Sequence, residues 1–477
     1  MAVVTLHSPP DGVPDRVIVQ DEPRVGGEGA VFFSADGNFA VKVYHNPPSK
    51  KQEYLRRVIE LFSNLSDTQK QFVVPPLALV STFDGSPKVG FIMRRVPQQY
   101  RELLEFTYNP RCAAQQFQQG KTWAHYLKVA RSVANAIMVL HGKGCAHSDI
   151  HFRNFLANLD TGQTVMLEMD GVVVQGFLPP GVKGMLGFMA PELIKNQQAL
   201  PDEKTDRYSL ALLILHTLLF RNVMCPLRDY DSDPNVSEEL GWGQYAVFSE
   251  HPTDHRHRPN HLGTPLYRRG TLSYKMLTPR LQALTEKAFI DGLHNPGKRP
   301  TAREWEEALA FALDELWHCS ECQQFYPYPY KTQPPQQRTC PFCGDPIRQP
   351  YPAVLELYEE RRQDNFVPLD RRLVLGHSFR VFEDVIEPHS KPPFTRQGAR
   401  TVGHVEWDGN RGTYRLFNDS NNTWTAGSPN GKSFTVRSGE SLVLSHGTRI
   451  QFGSGKRIAQ VIEPNQTTCS DILCYLW

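Results

Sequence analysis

Apolar positions at two different spacings divide the chain into stretches that predict strands and stretches that predict helices. Near the start, Val17-Ile18-Val19, Val25 through Phe33 and Phe39-Ala40-Val41-Lys42-Val43-Tyr44 read as strands. Alternation in the last of these sets Phe39, Val41 and Val43 on one face and Ala40, Lys42 and Tyr44 on the other. After Pro47-Pro48, Ser49 is placed to cap a helix whose apolar stripe is Leu55, Val58, Ile59 and Phe62. Val89 to Met93 predicts another strand, leading into Arg94-Arg95-Val96-Pro97. Trp123 to His141 carries Tyr126, Val129, Ala130, Val133, Ile137 and Leu140 at helical spacing. Leu210 to Leu215, extended past His216-Thr217 into Leu218-Leu219-Phe220, is too short and interrupted to span a membrane and reads as a buried helix. A further helix carries Trp305, Ala308, Leu309, Ala312, Leu313 and Leu316. Residues 345–367 read as a connecting segment, helical over Val354 to Arg362. From Arg372 the pattern returns to strands: Leu373 to His377, Thr413 to Phe417, Phe434 to Val436, Ser441 to Leu444 and Arg449 to Gly453. Glycine and asparagine turns separate them, which predicts a β-sandwich.

The 477 residues allow two to four domains, and 40% apolar with 21% charged residues is the balance of a folded globular protein. A net charge of +2, from 52 basic and 50 acidic groups, creates no broad field for nucleic acid or a membrane surface, so neither is expected as a partner. Met1 to Pro14 lacks a basic stretch followed by an apolar run, which predicts no signal peptide and a cytoplasmic protein. Nine cysteines change the picture, because four form two C-x-x-C pairs. Cys319, Cys322, Cys340 and Cys343 offer four thiolates and no open position, which predicts structural Zn²⁺. Cys112, Cys145, Cys225, Cys469 and Cys474 lack such spacing and read as buried or incidental.

Phosphotransfer chemistry is concentrated at Cys145 to Leu156. There Asp149 is followed five residues later by Asn154 and framed by His147 and His151, a set able to hold a hydroxyl, a nucleotide phosphate and a metal together. Upstream, Gly26, Gly27 and Gly29 allow close backbone approach to phosphates, with Val31 against a nucleotide base and Lys42 beside small Ala40 beneath it. Glu53 and Glu60 share a helix face, and Glu53, early in the helix, is the expected partner of Lys42. Met93 ends the strand at the expected hinge, where backbone groups meet an adenine edge.

Taken together, Gly26-x-x-Gly29-x-Val31, Lys42, His147-x-Asp149 with Asn154, and Ala190-Pro191-Glu192 resemble a eukaryotic-type Ser/Thr protein kinase. The resemblance implies an α+β, bilobal kinase-like fold over 16–317, with lobes at about 16–95 and 96–317, acting on a protein substrate with ATP and Mg²⁺ or Mn²⁺. It implies Asp149 as the base for the substrate hydroxyl, Lys42 on the nucleotide phosphates, and Asn154 as a magnesium ligand. His151 stands where lysine is usual and Ser148 where arginine is frequent. Val165 to Gly171 holds the place of the second metal-binding motif in either of two registers, with Glu168 or with Asp170 as the ligand. Asp206, in the first turn of its helix, is expected to anchor the catalytic-loop backbone, and Arg299 to pair with Glu192.

The knuckle, at 318–346, resembles a zinc ribbon. After a linker at 347–367, residues 368–465 resemble a forkhead-associated domain, an all-β sandwich. Thr401-x-x-His404 and Ser420-Asn421-Asn422-Thr423-Trp424 carry that likeness, with His377 where an arginine is usual, and it implies phosphothreonine peptides as ligands. The whole arrangement resembles bacterial kinases of the tellurium-resistance-associated phosphorylation triads, which implies a von Willebrand factor A protein and a metal-dependent protein phosphatase as partners. An alternative from another class is a pseudokinase scaffold binding proteins through its zinc module and sandwich.

Overall fold

Alternation at the start of the chain becomes an antiparallel sheet of eight strands: β1 (Ala2–His7), β2 (Arg16–Val19), β3 (Arg24–Val25), β4 (Gly29–Phe33), β5 (Phe39–Tyr44), β6 (Ala78–Phe83), β7 (Ser86–Pro87) and β8 (Gly90–Arg94). Their order is β2-β1-β6-β8-β5-β4-β3, with β7 beside β6. The computed structural model describes residues 1–174, 184–196, 198–330, 337–363, 365–376, 378–428, 431–453 and 455–463. Two units are distinguished, one from residues 1–121, 129–259 and 285–306, the other from 122–128, 260–284 and 307–477.

In the first unit, β1 lies ahead of the expected lobe boundary at residue 16. It pairs with both β2 and β6 and buries Val4 completely, so the lobe reaches back at least to Ala2. Val4, Val17, Val41, Val80 and Ile92 form one core beneath the sheet, while Tyr44, Leu55, Leu79 and Phe91 pack the opposite face against helix α1 (Lys51–Phe62). Strand β5 is buried along its whole length. Its neighbours approach closely: a Cβ on Gly29 would lie 2.4 Å from the Val43 carbonyl, and one on Gly90 would lie 2.3 Å from the Lys42 carbonyl. Gly29 is therefore required by strand spacing as well as by any approach to phosphate.

The larger lobe is mostly helical. Glu203–Leu219 starts from a reciprocal cap between Asp202 and Thr205 and is buried on nearly all sides, as a helix apolar all round must be. In a small sheet, β9 (Arg101–Glu102), β10 (Phe155–Asn158) and β11 (Gln163–Met166), ordered β11-β10-β9, the last two strands of the chain follow the loop that carries Asp149. Among the described residues no helix is long and apolar enough to cross a membrane.

In the second unit, β12 (Leu316–His318) and β13 (Phe325–Pro327) form a hairpin, followed by ten strands in two sheets. One sheet holds β14 (Ala353–Arg362), β15 (Asn365–Leu375), β19 (Trp424–Gly427), β20 (Ser433–Val436), β22 (Arg449–Gln451) and β23 (Arg457–Glu463). The other holds β16 (Arg380–Phe382), β17 (Thr401–Asp408), β18 (Thr413–Asn418) and β21 (Ser441–Val443). Leu355, Leu373, Val405, Leu416, Trp424 and Ile450 meet in one core between them. The expected helix at 354–362 and the expected linker at 347–367 are corrected here: β14 sits between β15 and β23, and its inward residues Ala353, Leu355 and Leu357 are fully buried. Strand pairing thus reaches back to residue 353, ahead of the expected start at 368. His377, Cys469 and Cys474 lie outside the described residues.

Candidate active site and metal centre

The loop that carries Asp149 is held at both ends by main-chain bonds. Ala146 and Val173 exchange N–H to carbonyl bonds of 2.9 and 2.7 Å, and Leu167 N–H donates to the Asn154 carbonyl at 2.8 Å. Between them, Asp206 accepts the backbone N–H groups of His147 (2.8 Å) and Ser148 (3.2 Å) and lies 3.2 Å from His141 Nε2. This is the anchoring expected of Asp206. It fixes the turn at Ser148, whose φ of 63° is in the left-handed region.

Asp149 and Asn154 meet within that frame. Asn154 Nδ2 donates to the Asp149 carbonyl at 2.8 Å and to its Oδ2 at 3.2 Å. His151 Nδ1 accepts from the Arg153 N–H, which leaves Nε2 to donate toward Asp149 Oδ2 at 3.2 Å. Burial alone would raise the Asp149 carboxyl, but the hydrogen bond and charge of His151, with help from His147 and Asn154, outweigh it and hold the group below its ordinary value. Asp149 is accordingly ionised at neutral pH, as a proton acceptor must be.

Opposite this loop, Lys42 points from β5 into the cleft and is almost fully buried. Its Nζ lies 2.7 Å from Glu168 Oε2 and 2.8 Å from Asp170 Oδ2. Burial opposes its charge, and the two carboxylates more than compensate, so the ammonium is held above its usual range. Glu168 adopts a left-handed backbone, φ 55°, and its carbonyl accepts from His147 Nε2 at 3.0 Å. Its side chain is 47% exposed and faces the cleft, whereas Asp170 is 3% exposed. Met169 between them is buried.

The expected role of Glu53 is corrected by these contacts. Glu53 is 56% exposed and pairs with Arg57 one turn on, at 2.6 Å, and Glu60 is exposed as well. The α1 residues that face the cleft are Lys51 and Tyr54. Lys51 Nζ lies 3.3 Å from the Asp170 carbonyl, and the Tyr54 hydroxyl donates to the Val172 carbonyl at 2.5 Å. Sequence reasoning missed both, and also Tyr44, whose hydroxyl donates to Asp170 Oδ2. The available signal was the alternation along β5, which already set Tyr44 on the face of Lys42.

A cavity of about 380 Å³ opens beside Lys42, with Val31, Ala40 and Met93 on the small-lobe side and Leu156, Glu168 and Asp170 among its other walls. A second recess of about 680 Å³ gathers Gly27, Asp149, Asn154, Glu168 and Asp170. Gly26 N–H donates to the Gly29 carbonyl at 2.8 Å, closing the glycine turn as a tight hairpin. Asn154 and Glu168 present oxygen atoms suited to a hard divalent cation, and Lys42 beside the first cavity suits anionic phosphate. At the end of the lobe, Arg299 grips Glu192 with two parallel bonds of 2.7 and 2.8 Å, as expected.

The four knuckle cysteines converge in the second unit. Their sulfurs all lie within 4.8 Å of one another, with Cys319–Cys343 at 3.7 Å and Cys322–Cys340 at 3.6 Å. Tetrahedral zinc with Zn–S near 2.3 Å requires sulfur separations of about 3.8 Å, so the donor set fits structural zinc. Each knuckle closes through a residue with positive φ, Gln323 and Gly344, and main-chain N–H groups of Phe342 and Asp345 point at sulfur, 3.4 Å away in both cases. Of the other described cysteines, Cys145 is buried, Cys112 half-buried and Cys225 exposed.

Comparison with known proteins agrees with this geometry. The chain is 29% identical to wall-associated receptor kinase 1 of Arabidopsis thaliana over 126 residues, 24% of this chain and 16% of that protein. It is 33% identical to L-type lectin-domain containing receptor kinase V.7 of the same plant over 115 residues, 22% of this chain and 17% of that protein. The matches thus span about a sixth of the length of these relatives. Residues 26–308, more than half of the chain, match the protein kinase domain family, which implies ATP and a divalent metal. The chain belongs to the protein kinase domain family.

Proposed function

We propose that this protein is an ATP- and Mg²⁺-dependent Ser/Thr protein kinase of the bacterial phosphorylation-triad type, acting on itself or on a partner protein. The observation that carries the reading is the convergence of Asp149, Asn154 and Glu168 on one recess, beside a cavity that Lys42 lines. Asp149 accepts the proton of the substrate hydroxyl, and His151 orients it through the 3.2 Å contact to Oδ2. Lys42 meets the nucleotide phosphates, Val31, Ala40 and Met93 face the base, and Asn154 with Glu168 or Asp170 would hold the metal. The metal, when bound, neutralises charge on the phosphates. The C-terminal strands support a forkhead-associated-like sandwich that binds a protein, phosphothreonine being one candidate ligand. The von Willebrand factor A and phosphatase partners belong to the same proposal.

The test is Asp149→Asn, which removes the proton acceptor and keeps the shape. Transfer of radiolabel from ATP to the chain or to a co-expressed partner should fall by about 10²-fold or more, while calorimetry shows nucleotide binding retained. Undiminished labelling would remove Asp149 from the mechanism. A wild-type chain that binds nucleotide and labels nothing would favour the scaffold reading.

A further inference from the structure

We infer that Asp170 is the positioning residue for Lys42, in place of a helix glutamate, and that Glu168 alone of the two carboxylates is left to the metal. This rests on the kinase reading above and assigns the roles within it. A lysine that is to meet phosphates must be held extended by a carboxylate partner. In this protein no glutamate of α1 reaches it, since Glu53 is turned to Arg57 and Glu60 is exposed.

Asp170 has the properties of a fixed partner. Its Oδ2 accepts from Lys42 Nζ at 2.8 Å and from the Tyr44 hydroxyl, so two residues of β5 clamp one oxygen. Lys51 Nζ stands 4.0 Å from the same atom and 3.3 Å from the Asp170 carbonyl, and it rests over the rings of Tyr44 and Tyr54 at 4.7 and 5.0 Å. An oxygen already shared by one ammonium and a hydroxyl, with a second ammonium close by, on a side chain only 3% exposed, is a poor ligand for a further cation. Glu168 differs in exposure and in partners: it is half exposed, it lines the recess of Asp149 and Asn154, and among the described residues its one ion pair is with Lys42. When a metal takes Glu168, Lys42 keeps Asp170.

The test uses the full chain, measuring transfer rate, the KM for ATP, and the Mg²⁺ concentration at half-maximal rate. Asp170→Asn keeps the volume and the tyrosine contact. It should lower kcat by about 10²-fold, leave half-saturating Mg²⁺ within about twofold, and add little to the loss caused by Lys42→Met, because both changes remove one unit. Glu168→Gln should instead raise the Mg²⁺ requirement at least about tenfold. Glu53→Ala and Glu60→Ala, both on the surface and neutral for folding, should leave kcat within about twofold. A tenfold loss from either helix glutamate would overturn the inference even if Asp170→Asn failed to fold. So would an Asp170→Asn protein that shows the Mg²⁺ shift of Glu168→Gln, or losses that multiply with those of Lys42→Met. A wild-type chain that binds no nucleotide by calorimetry overturns the kinase reading and this assignment with it; one that binds and transfers while Asp170→Asn matches it overturns the assignment alone.

Discussion

Asp206 shows how much of the site depends on one side chain that lines neither of the two cavities. It is buried, and its two oxygens take the N–H groups of His147 and Ser148. Asp206→Ala takes the carboxylate away from these buried N–H groups, at a cost of roughly 2–5 kcal/mol. Because the loop then loses its left-handed turn at Ser148, kcat should drop more than the KM for ATP rises. Urea unfolding combined with steady-state kinetics checks both effects, and a variant with normal kcat would mean the loop is held by its strand contacts alone. At this scale the sequence was most informative. Asp149, Asn154, Asp206 and the four cysteines sit in short motifs whose spacing fixes their geometry. Glu53 was not legible, because which carboxylate faces the lysine depends on the azimuth of α1. Each step of one residue turns that face by about 100°, and the rotation adopted presents Lys51 and Tyr54.

Elements were legible where a single period dominated and obscure where charge was buried. Val354 to Arg362 carries glutamates at 356, 359 and 360, which mimics a solvated helix. Yet Glu359 is buried in β14 and accepts from Arg457 Nε at 3.0 Å, so a buried ion pair conceals the period-two pattern. The helix Glu203–Leu219 offers a related case in His216. It lies between Phe152 and Phe188, donates through Nε2 to the Thr107 carbonyl at 3.0 Å, and has no partner at Nδ1 among the described residues. Burial, reinforced by the charge of Arg221, pushes its pKa down to about 4. The folded protein therefore prefers neutral His216, while the unfolded chain takes up a proton near pH 6.5. Stability from this group is full above that value and falls as pH drops from about 6.5 to about 4, by roughly 3 kcal/mol. Urea midpoints across this range should show the loss in the wild type, and His216→Gln, which keeps a donor, should remove much of the slope. An unchanged slope would place the proton uptake elsewhere.

At the scale of the whole molecule, the knuckle contrasts with the kinase lobes in what holds it together. The small lobe has an extensive core of its own, whereas the described part of the knuckle joins four converging sulfurs to a short hairpin, with Tyr326 and Phe342 buried beside them. One zinc ion per chain is expected, and Cys340→Ser should release it and loosen the knuckle while the lobes keep their own unfolding transition. Elemental analysis of chain purified without chelator, with calorimetric unfolding of the variant, checks this; a metal-free wild type would refute it. The clamp on Lys42 has a different reach, into descent. Its two charged members, Lys42 on β5 and Asp170 two residues beyond Glu168, meet directly, with no carboxylate from α1 between them. Selection would then act on positions 42, 44 and 170 as a set, while α1 is released to vary its inward residues. Among homologues, an acidic residue at 170 should be retained wherever α1 turns no carboxylate inward, and should be free to disappear in lineages where such a carboxylate returns.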